Sequence, residues 1–293
     1  MEQTILLFFQ SIRSPALTAL FGIFSFLSEA LVVGSAALVL YWLFDRTGEQ
    51  LLFTLLTSVP LNCTAKAAIA RPRPYSAGVV TKLEPPLALS PLGDNLSFPS
   101  GHVQASASFL GALSLRLRRT WVWVISSVAA FLVACARLYF GVHYPSDVLA
   151  GLLFGLLVAL FWAFVFQRLY RLRHHILCVI AIAVLVAAFF LNSSDFLRAT
   201  GLISGGAFFL PIAEYFRRTP DKRFRQTQTA RSEYTFAGLK RLWRLPVGIS
   251  VCAVVFALTL FFPEGDGFLV LKWFLLTGAA TLGAQILFSA LQI

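Results

Sequence analysis

The chain has 293 residues, of which 58% are hydrophobic and only 13% charged, with a mean hydropathy of +0.78. So little polar surface cannot cover a soluble globule of this size, which excludes a soluble domain and implies an integral membrane protein. A formal net charge of +11 would suit nucleic acid, but the basic residues are distributed over short loops in a pattern that topology explains better, and no nucleic-acid partner is expected.

A helix crossing about 30 Å of hydrocarbon takes about 20 mostly apolar residues. Such windows predict spans over 12–28, 29–45, 50–70, 101–117, 120–139, 146–167, 174–191, 198–216, 246–263 and 267–291, an all-α polytopic bundle. Arg13 and Pro15 interrupt the first window, so residues 3–12 are open to lying along the interface instead. The early residues include Glu2 and no Lys or Arg, which argues against a cleaved signal peptide. The apolar stretches are long and do not alternate, which disfavours a β-barrel.

Two polar segments stand out, Tyr75–Phe98 and Arg217–Arg244. The first holds Pro85, Pro86, Pro91 and Gly93, which oppose helix, and Val79, Val80, Leu83, Leu87, Leu89 and Leu92, which keep it apolar. It reads either as a cover or lipid guide over a pocket or as packing against neighbouring helices. The second is strongly basic, with Phe236, Leu239, Leu242 and Trp243 at helical spacing beside Lys240, Arg241 and Arg244. Contact with anionic headgroups and a plain solvated linker are equally open for it.

Arg46, Arg116, Arg118, Arg119, Arg168, Arg171, Arg173 and the 217–244 stretch fall on one side of this topology. The positive-inside rule makes that side cytoplasmic and turns the opposite face, with Lys66, Arg73 and Arg137, toward the periplasm or exterior of an inner (plasma) membrane. Cys63, Cys135, Cys178 and Cys252 sit singly in apolar runs, without the spacing of a zinc site or disulfide framework.

Three clusters on that outer face carry chemistry. The first is Lys66 with Arg73-Pro74, the second Pro99-Ser100-Gly101-His102, and the third Arg137 with His143 and Asp147. Ser100 suits an N-cap, and Gly101 lets an anion approach the free amides of a helix start, where the dipole also favours negative charge. The break from Gly141 to Pro145 leaves His143 at a turn and Asp147 in the first turn of the next span. At that separation the carboxylate can accept from one ring nitrogen and leave the other free for substrate, or it can simply face the helix dipole. Lys66, Arg73 and Arg137 can neutralise the equatorial oxygens of a transferring phosphoryl group, which suits phosphoryl transfer without a metal or other cofactor. Arg71 fits snorkelling to the interface better than Arg73.

These spacings resemble the type 2 phosphatidic acid phosphatase superfamily in all three signature motifs, in order: Lys66, six residues, Arg73-Pro74; Pro99-Ser100-Gly101-His102; Arg137, five residues, His143, three residues, Asp147. Ala136 departs from the pattern, which often has Ser before the Arg. The resemblance implies a core of six transmembrane helices within 1–170; outside it the apolar windows add about four C-terminal helices over 171–293, with a basic loop at 217–245 that the charge pattern makes cytoplasmic. The resemblance also implies that His143 attacks phosphorus, Asp147 orients it and His102 protonates the leaving alkoxide. Lys66, Arg73, Ser100, Gly101 and Arg137 would then hold the phosphate. The implied partners are a lipid phosphate substrate and membrane lipids. Phosphatidate, phosphatidylglycerophosphate, polyprenyl pyrophosphate and a sphingoid phosphate are the candidates. A phosphotransferase using the same intermediate and a transporter are the alternatives. Small residues around Gly201, Gly205, Gly206, Gly278, Ala279, Gly283 and Ala284 suggest close helix packing within the monomer.

Overall fold

The computed structural model describes residues 1–87, 96–191, 193–218, 242–291 and 293. Among these the regular structure is helical: α1 (Glu2–Ser11), α2 (Pro15–Leu27), α3 (Ala30–Leu43), α4 (Asp45–Ile69), α5 (Gly101–Leu117), α6 (Thr120–Tyr139) and α7 (Pro145–Arg168). They are followed by α8 (Arg173–Ala188), α9 (Ser194–Arg218), α10 (Arg244–Thr259), α11 (Asp266–Gly278) and α12 (Ala284–Ala290), the last two joined by a π-helical turn over Ala279–Gly283. Most of the basic 217–244 stretch and residues 88–95 of the apolar loop, with Leu89, Pro91, Leu92 and Gly93, lie outside the described residues.

Among the described residues six helical segments are long and apolar enough to cross a membrane, or seven if α2 and α3 count as one bent span. This corrects the expectation of separate spans at 12–28 and 29–45. Each of those helices rises only about 20 Å at 1.5 Å per residue, and the chain bends by 51° at the Ser28–Glu29 break between them. The chain divides into two compact units, Met1–Ala37 with Gln50–Tyr170, and Leu38–Glu49 with Arg171–Ile293. Leu38–Glu49 thus groups with the C-terminal helices rather than with the 1–170 region that the sequence suggests.

In the first unit α7 lies directly against α5 because Gly151 and Gly155 carry no side chain. A Cβ at these positions would come within 2.8 Å of Ser100 O and 2.5 Å of Gln104 O. Small residues of this kind let backbones approach closely where no hydrophobic force drives helices together. A polar seam joins α4 to α5: Ser58 and Ser108 hydroxyls meet at 2.8 Å, Gln104 Nε2 donates to Ser58 O at 2.9 Å, and Asn62 Nδ2 donates to Gln104 Oε1 at 2.9 Å. Such bonds fix one register between two apolar helices, since a slip would strand buried polar groups.

Helix α1 is tied to this unit by Leu6, buried with Val80 and Tyr144. Just beyond it, Arg13 donates to Tyr139 O at 3.0 Å and to Thr81 O at 2.8 Å. The described part of the apolar loop packs on the helices: Leu83 N donates to Phe140 O at 3.2 Å, and Pro86 lies where a Cβ on Gly22 would stand, 2.8 Å away.

The second unit holds a buried ion cluster. Arg173 Nε lies 2.9 Å from Glu49 Oε1, and Arg173 Nη2 lies 2.5 Å from Glu214 Oε2. His174 Nε2 lies 2.8 Å from the same Glu214 oxygen. Helix α9 meets α11 through Gly201 and Gly205, whose Cβ atoms would fall 2.4 Å from Val270 O and 2.7 Å from Phe274 O. Trp42 Nε1 donates to Ala280 O at 2.8 Å, on the π-helical turn.

Candidate active site

The first cluster begins on the last turn of α4, where Lys66 Nζ donates to Leu96 O at 3.4 Å. After α4 ends, the chain runs antiparallel to the segment leading into α5. Pro72 and Leu96 form an isolated bridge, Ser97 N donates to Arg71 O at 2.8 Å, and Ser97 Oγ donates to Pro72 O at 3.2 Å. Arg73 is thereby buried beside the start of α5, and its Nη1 donates to Val142 O at 3.3 Å, which binds the first cluster to the turn carrying His143.

The second cluster follows a cis Phe98-Pro99 bond. Ser100 is the N-cap of α5 by backbone conformation, but its side chain does not cap the helix. Its N–H instead donates to Asp147 O at 3.0 Å, so the starts of α5 and α7 are stitched together. Ser100 Oγ is fully buried and has no hydrogen-bond partner among the described residues. Gly101 packs against Asn62, whose Oδ1 would lie 3.2 Å from an added Cβ.

In the third cluster Arg137, on the last turn of α6, is 1% exposed. Its Nη1 donates to Ser25 Oγ at 2.7 Å, while its Nε is a second buried donor with no acceptor among the described residues. The turn to α7 is possible because Gly141 takes φ +71°, a region that a side chain would strain, and because a Cβ there would meet Val80 at 3.0 Å. Ala136, at the departure from the family pattern, packs among Phe21, Tyr139, Phe140 and Val142.

His143 is 2% exposed. Its Nδ1 is 2.8 Å from Ser97 O, and since a carbonyl only accepts, Nδ1 carries the proton and Nε2 keeps its lone pair. Burial, and then the charges of Arg73, Arg137, Lys66 and His102, hold this imidazole well below its ordinary protonation range. Residues from all three clusters therefore act on one ring, which is neutral at pH 7 and has a free nitrogen, the form a nucleophile requires.

Two sequence expectations change. A direct hydrogen bond from His143 to Asp147 is absent: the nearest carboxylate oxygen is 3.8 Å from Nδ1, and the Ser97 carbonyl occupies that direction. The reason is local, because Asp147 Oδ2 accepts the Tyr144 N–H at 2.7 Å and so turns back toward its own helix start. At 3.8 Å the carboxylate still supplies negative charge beside the ring. Arg71, read as snorkelling, instead donates to Asp147 Oδ1 at 3.0 Å, Ser146 Oγ at 2.6 Å and Glu2 Oε2 at 2.7 Å, and it covers the Tyr144 ring at 3.8 Å.

Four groups that shape the site stand outside the three clusters: Ser97, Ser25, Glu2 and Glu29. Glu29 Oε1 lies 3.5 Å from His102 Nε2, a contact between charges only when the ring is protonated, and this nitrogen makes no hydrogen bond among the described residues. One signal could have found it, since Glu29 is the sole charged residue between Arg13 and Asp45, and acids within spans are costly unless they serve a site.

A family model described as the PAP2 superfamily matches residues 47–171. The undecaprenyl-diphosphatase of Sulfolobus acidocaldarius is 32% identical over 155 residues, covering 50% of this chain and 71% of that protein. The chain belongs to the PAP2 superfamily. Lipid A 1-phosphatase of Rhizobium johnstonii is 35% identical over 138 residues, covering 45% of this chain and 51% of that protein. Phosphatidylglycerophosphatase B of Bacillus subtilis is 32% identical over 148 residues, covering 47% and 66%. The chain thus spans between half and two thirds of these last two relatives. A solved structure of Aquifex aeolicus LpxE is 26% identical and covers 54% of this chain and 92% of its own, with a TM-score of 0.44. As a PAP2 member with phosphatases as relatives, the protein is a multi-pass membrane phosphoric ester hydrolase.

Proposed function

We propose that the chain hydrolyses a lipid phosphomonoester or terminal pyrophosphate without a metal ion, through a phosphohistidine on His143. The supporting observation is the set of buried donors around a neutral imidazole. Ser100 Oγ and Arg137 Nε have no acceptor among the described residues, and an unmet buried donor costs about 1–3 kcal/mol. A phosphate beside them would satisfy both, and Lys66, Arg73 and Arg137 supply the positive charge that a metal ion contributes elsewhere.

In the first half-reaction His143 Nε2 bonds to phosphorus as the ester P–O bond breaks, and the leaving oxygen takes a proton from His102. In the second, water attacks phosphorus, the P–N bond breaks and His102 takes a proton from that water. Asp147 and the Ser97 carbonyl hold the ring, and the three cations with Ser100 and the α5 start hold the phosphoryl oxygens. The names of the relatives favour a lipid, and candidates are polyprenyl pyrophosphate, phosphatidylglycerophosphate, phosphatidate and a sphingoid phosphate. The asymmetry of basic loops favours a pocket facing the periplasm or exterior of the inner membrane.

The test is phosphate release from a panel of these lipids in detergent with EDTA, together with an alkaline denaturing quench to trap an acid-labile, base-stable phosphoenzyme. Full activity in His143→Ala, or strict dependence on a divalent ion, overturns the reading. Product analysis with an added alcohol separates hydrolysis from phosphoryl transfer.

A further inference from the structure

Protonating a leaving alkoxide requires His102 to carry a proton it can release, and its surroundings oppose that. Arg137 on α6 and Arg73 after α4 both place positive charge on it, and His143 faces the same site from the α6–α7 turn. One carboxylate stands against them. Glu29 lies at the break between α2 and α3, is 8% exposed, and puts Oε1 3.5 Å from His102 Nε2. It precedes the 47–171 stretch that matches the family model, and its charge also acts on Arg137.

Building on the phosphohistidine reading, we propose that Glu29 is the positioning residue of the general acid: it holds His102 through Nε2–H, so that Nδ1 is the nitrogen that hands its proton to the departing oxygen. Nε2 is buried with the carboxylate 3.5 Å away and makes no hydrogen bond among the described residues, so the bond to Glu29 is one that forms when the ring is protonated, while 22% of the side chain remains exposed. In the imidazolium both nitrogens carry protons. As the P–O bond breaks, the Nδ1–H bond breaks and the alcohol O–H forms, leaving a neutral ring whose remaining proton stays on Nε2 against Glu29. When water attacks the phosphohistidine, its proton returns to Nδ1 and the imidazolium is restored. A carboxylate on the far nitrogen of a catalytic imidazole fixes the tautomer and stabilises the charged form.

The inference predicts a dependence on the leaving group. Glu29→Gln should lower kcat/KM, which reports the steps through P–O cleavage, by about 100-fold for an alkyl ester, the best lipid phosphate of the panel, because general acid catalysis is worth roughly 10²–10⁴-fold. The same variant should lose less than about threefold in kcat/KM on 4-nitrophenyl phosphate, whose phenolate departs without a proton. The alkaline limb of the alkyl-ester pH profile should move to lower pH, and Glu29→Gln should add no further loss in a His102→Ala background. Melting in detergent monitors folding, and if Glu29→Gln does not fold, Glu29→Asp carries the same comparison. Equal losses on both esters in a folded variant, or no loss on either, overturn the role of Glu29. His143→Ala separates this from the parent reading. If it abolishes both activities while Glu29→Gln changes neither, only the present inference falls. If His143→Ala retains activity, the phosphohistidine itself falls.

Discussion

Two buried clusters of charge, one in each compact unit, show what a charged group inside an apolar bundle is for. In the second unit Glu49, Glu214, Arg173 and His174 meet one another at 2.5–2.9 Å. Each charge faces an opposite one, and the cluster ties residue 49 to α8 and α9. In the first unit Lys66, Arg73 and Arg137 act on a neutral His143, and Ser100 Oγ and Arg137 Nε find no acceptor among the described residues. Desolvation penalises both clusters. The cluster of the second unit reads as a brace, whereas the two unmet donors of the first suit the anion proposed above.

The contrast breaks most sharply at His143. His143→Ala should lower phosphate release at least as far as loss of the general acid does, by about 10²–10⁴-fold, with little change in melting temperature in detergent. Arg173→Ala should do the reverse: taking the arginine from the buried Glu49 carboxylate, and leaving Glu214 with His174, costs about 3–5 kcal/mol of stability, seen as a lower melting point, while turnover per folded molecule holds. Next in size, Arg137→Ala should lower kcat by about 10²–10³-fold, as expected for removing one preorganised donor to a developing oxyanion; a change confined to KM would count against that role.

The acid side of the pH profile sharpens the comparison further. Because His143 is held well below the ordinary histidine value of 6.5, the folded protein declines a proton that the unfolded chain accepts. Stability should therefore fall as pH drops below about 6.5 and rise with pH up to it, whereas the nucleophile should stay active through that same window. A kcat/KM profile whose acid limb lies at 6.5 would contradict the neutral, buried ring. The smallest effect is expected for Arg71→Gln, which removes one donor to Asp147 and should lower kcat by less than about tenfold, in line with the modest net worth of a partly exposed ion pair.

How much of this could be read from the chain follows from the range of each signal. The motif spacings lie within short segments, so Lys66, Arg73, Ser100, Gly101, His102, Arg137, His143 and Asp147 were legible as one set, and continuous apolar windows made α6 and α7 legible to within a residue or two. The bend at Ser28–Glu29 was not legible, because hydropathy cannot tell two short helices from two spans. The direction of the Asp147 side chain was decided by the Tyr144 N–H at 2.7 Å, a competitor that spacing alone does not weigh. Arg71 and Glu2, 69 positions apart in the chain, meet only once α1 has docked. Ser97 escaped notice because it contributes main chain, which composition does not reveal.

That last contact has a practical consequence. Replacing Ser97 with alanine leaves its peptide oxygen in place, so truncating this buried side chain reports only the loss of the hydroxyl and its bond to Pro72 O, and passes over the carbonyl that holds the ring. Altering the path of the backbone between Leu96 and Ser100, by insertion or deletion, is what would unseat it. The tautomer on which the chemistry turns is written into loop length rather than residue identity.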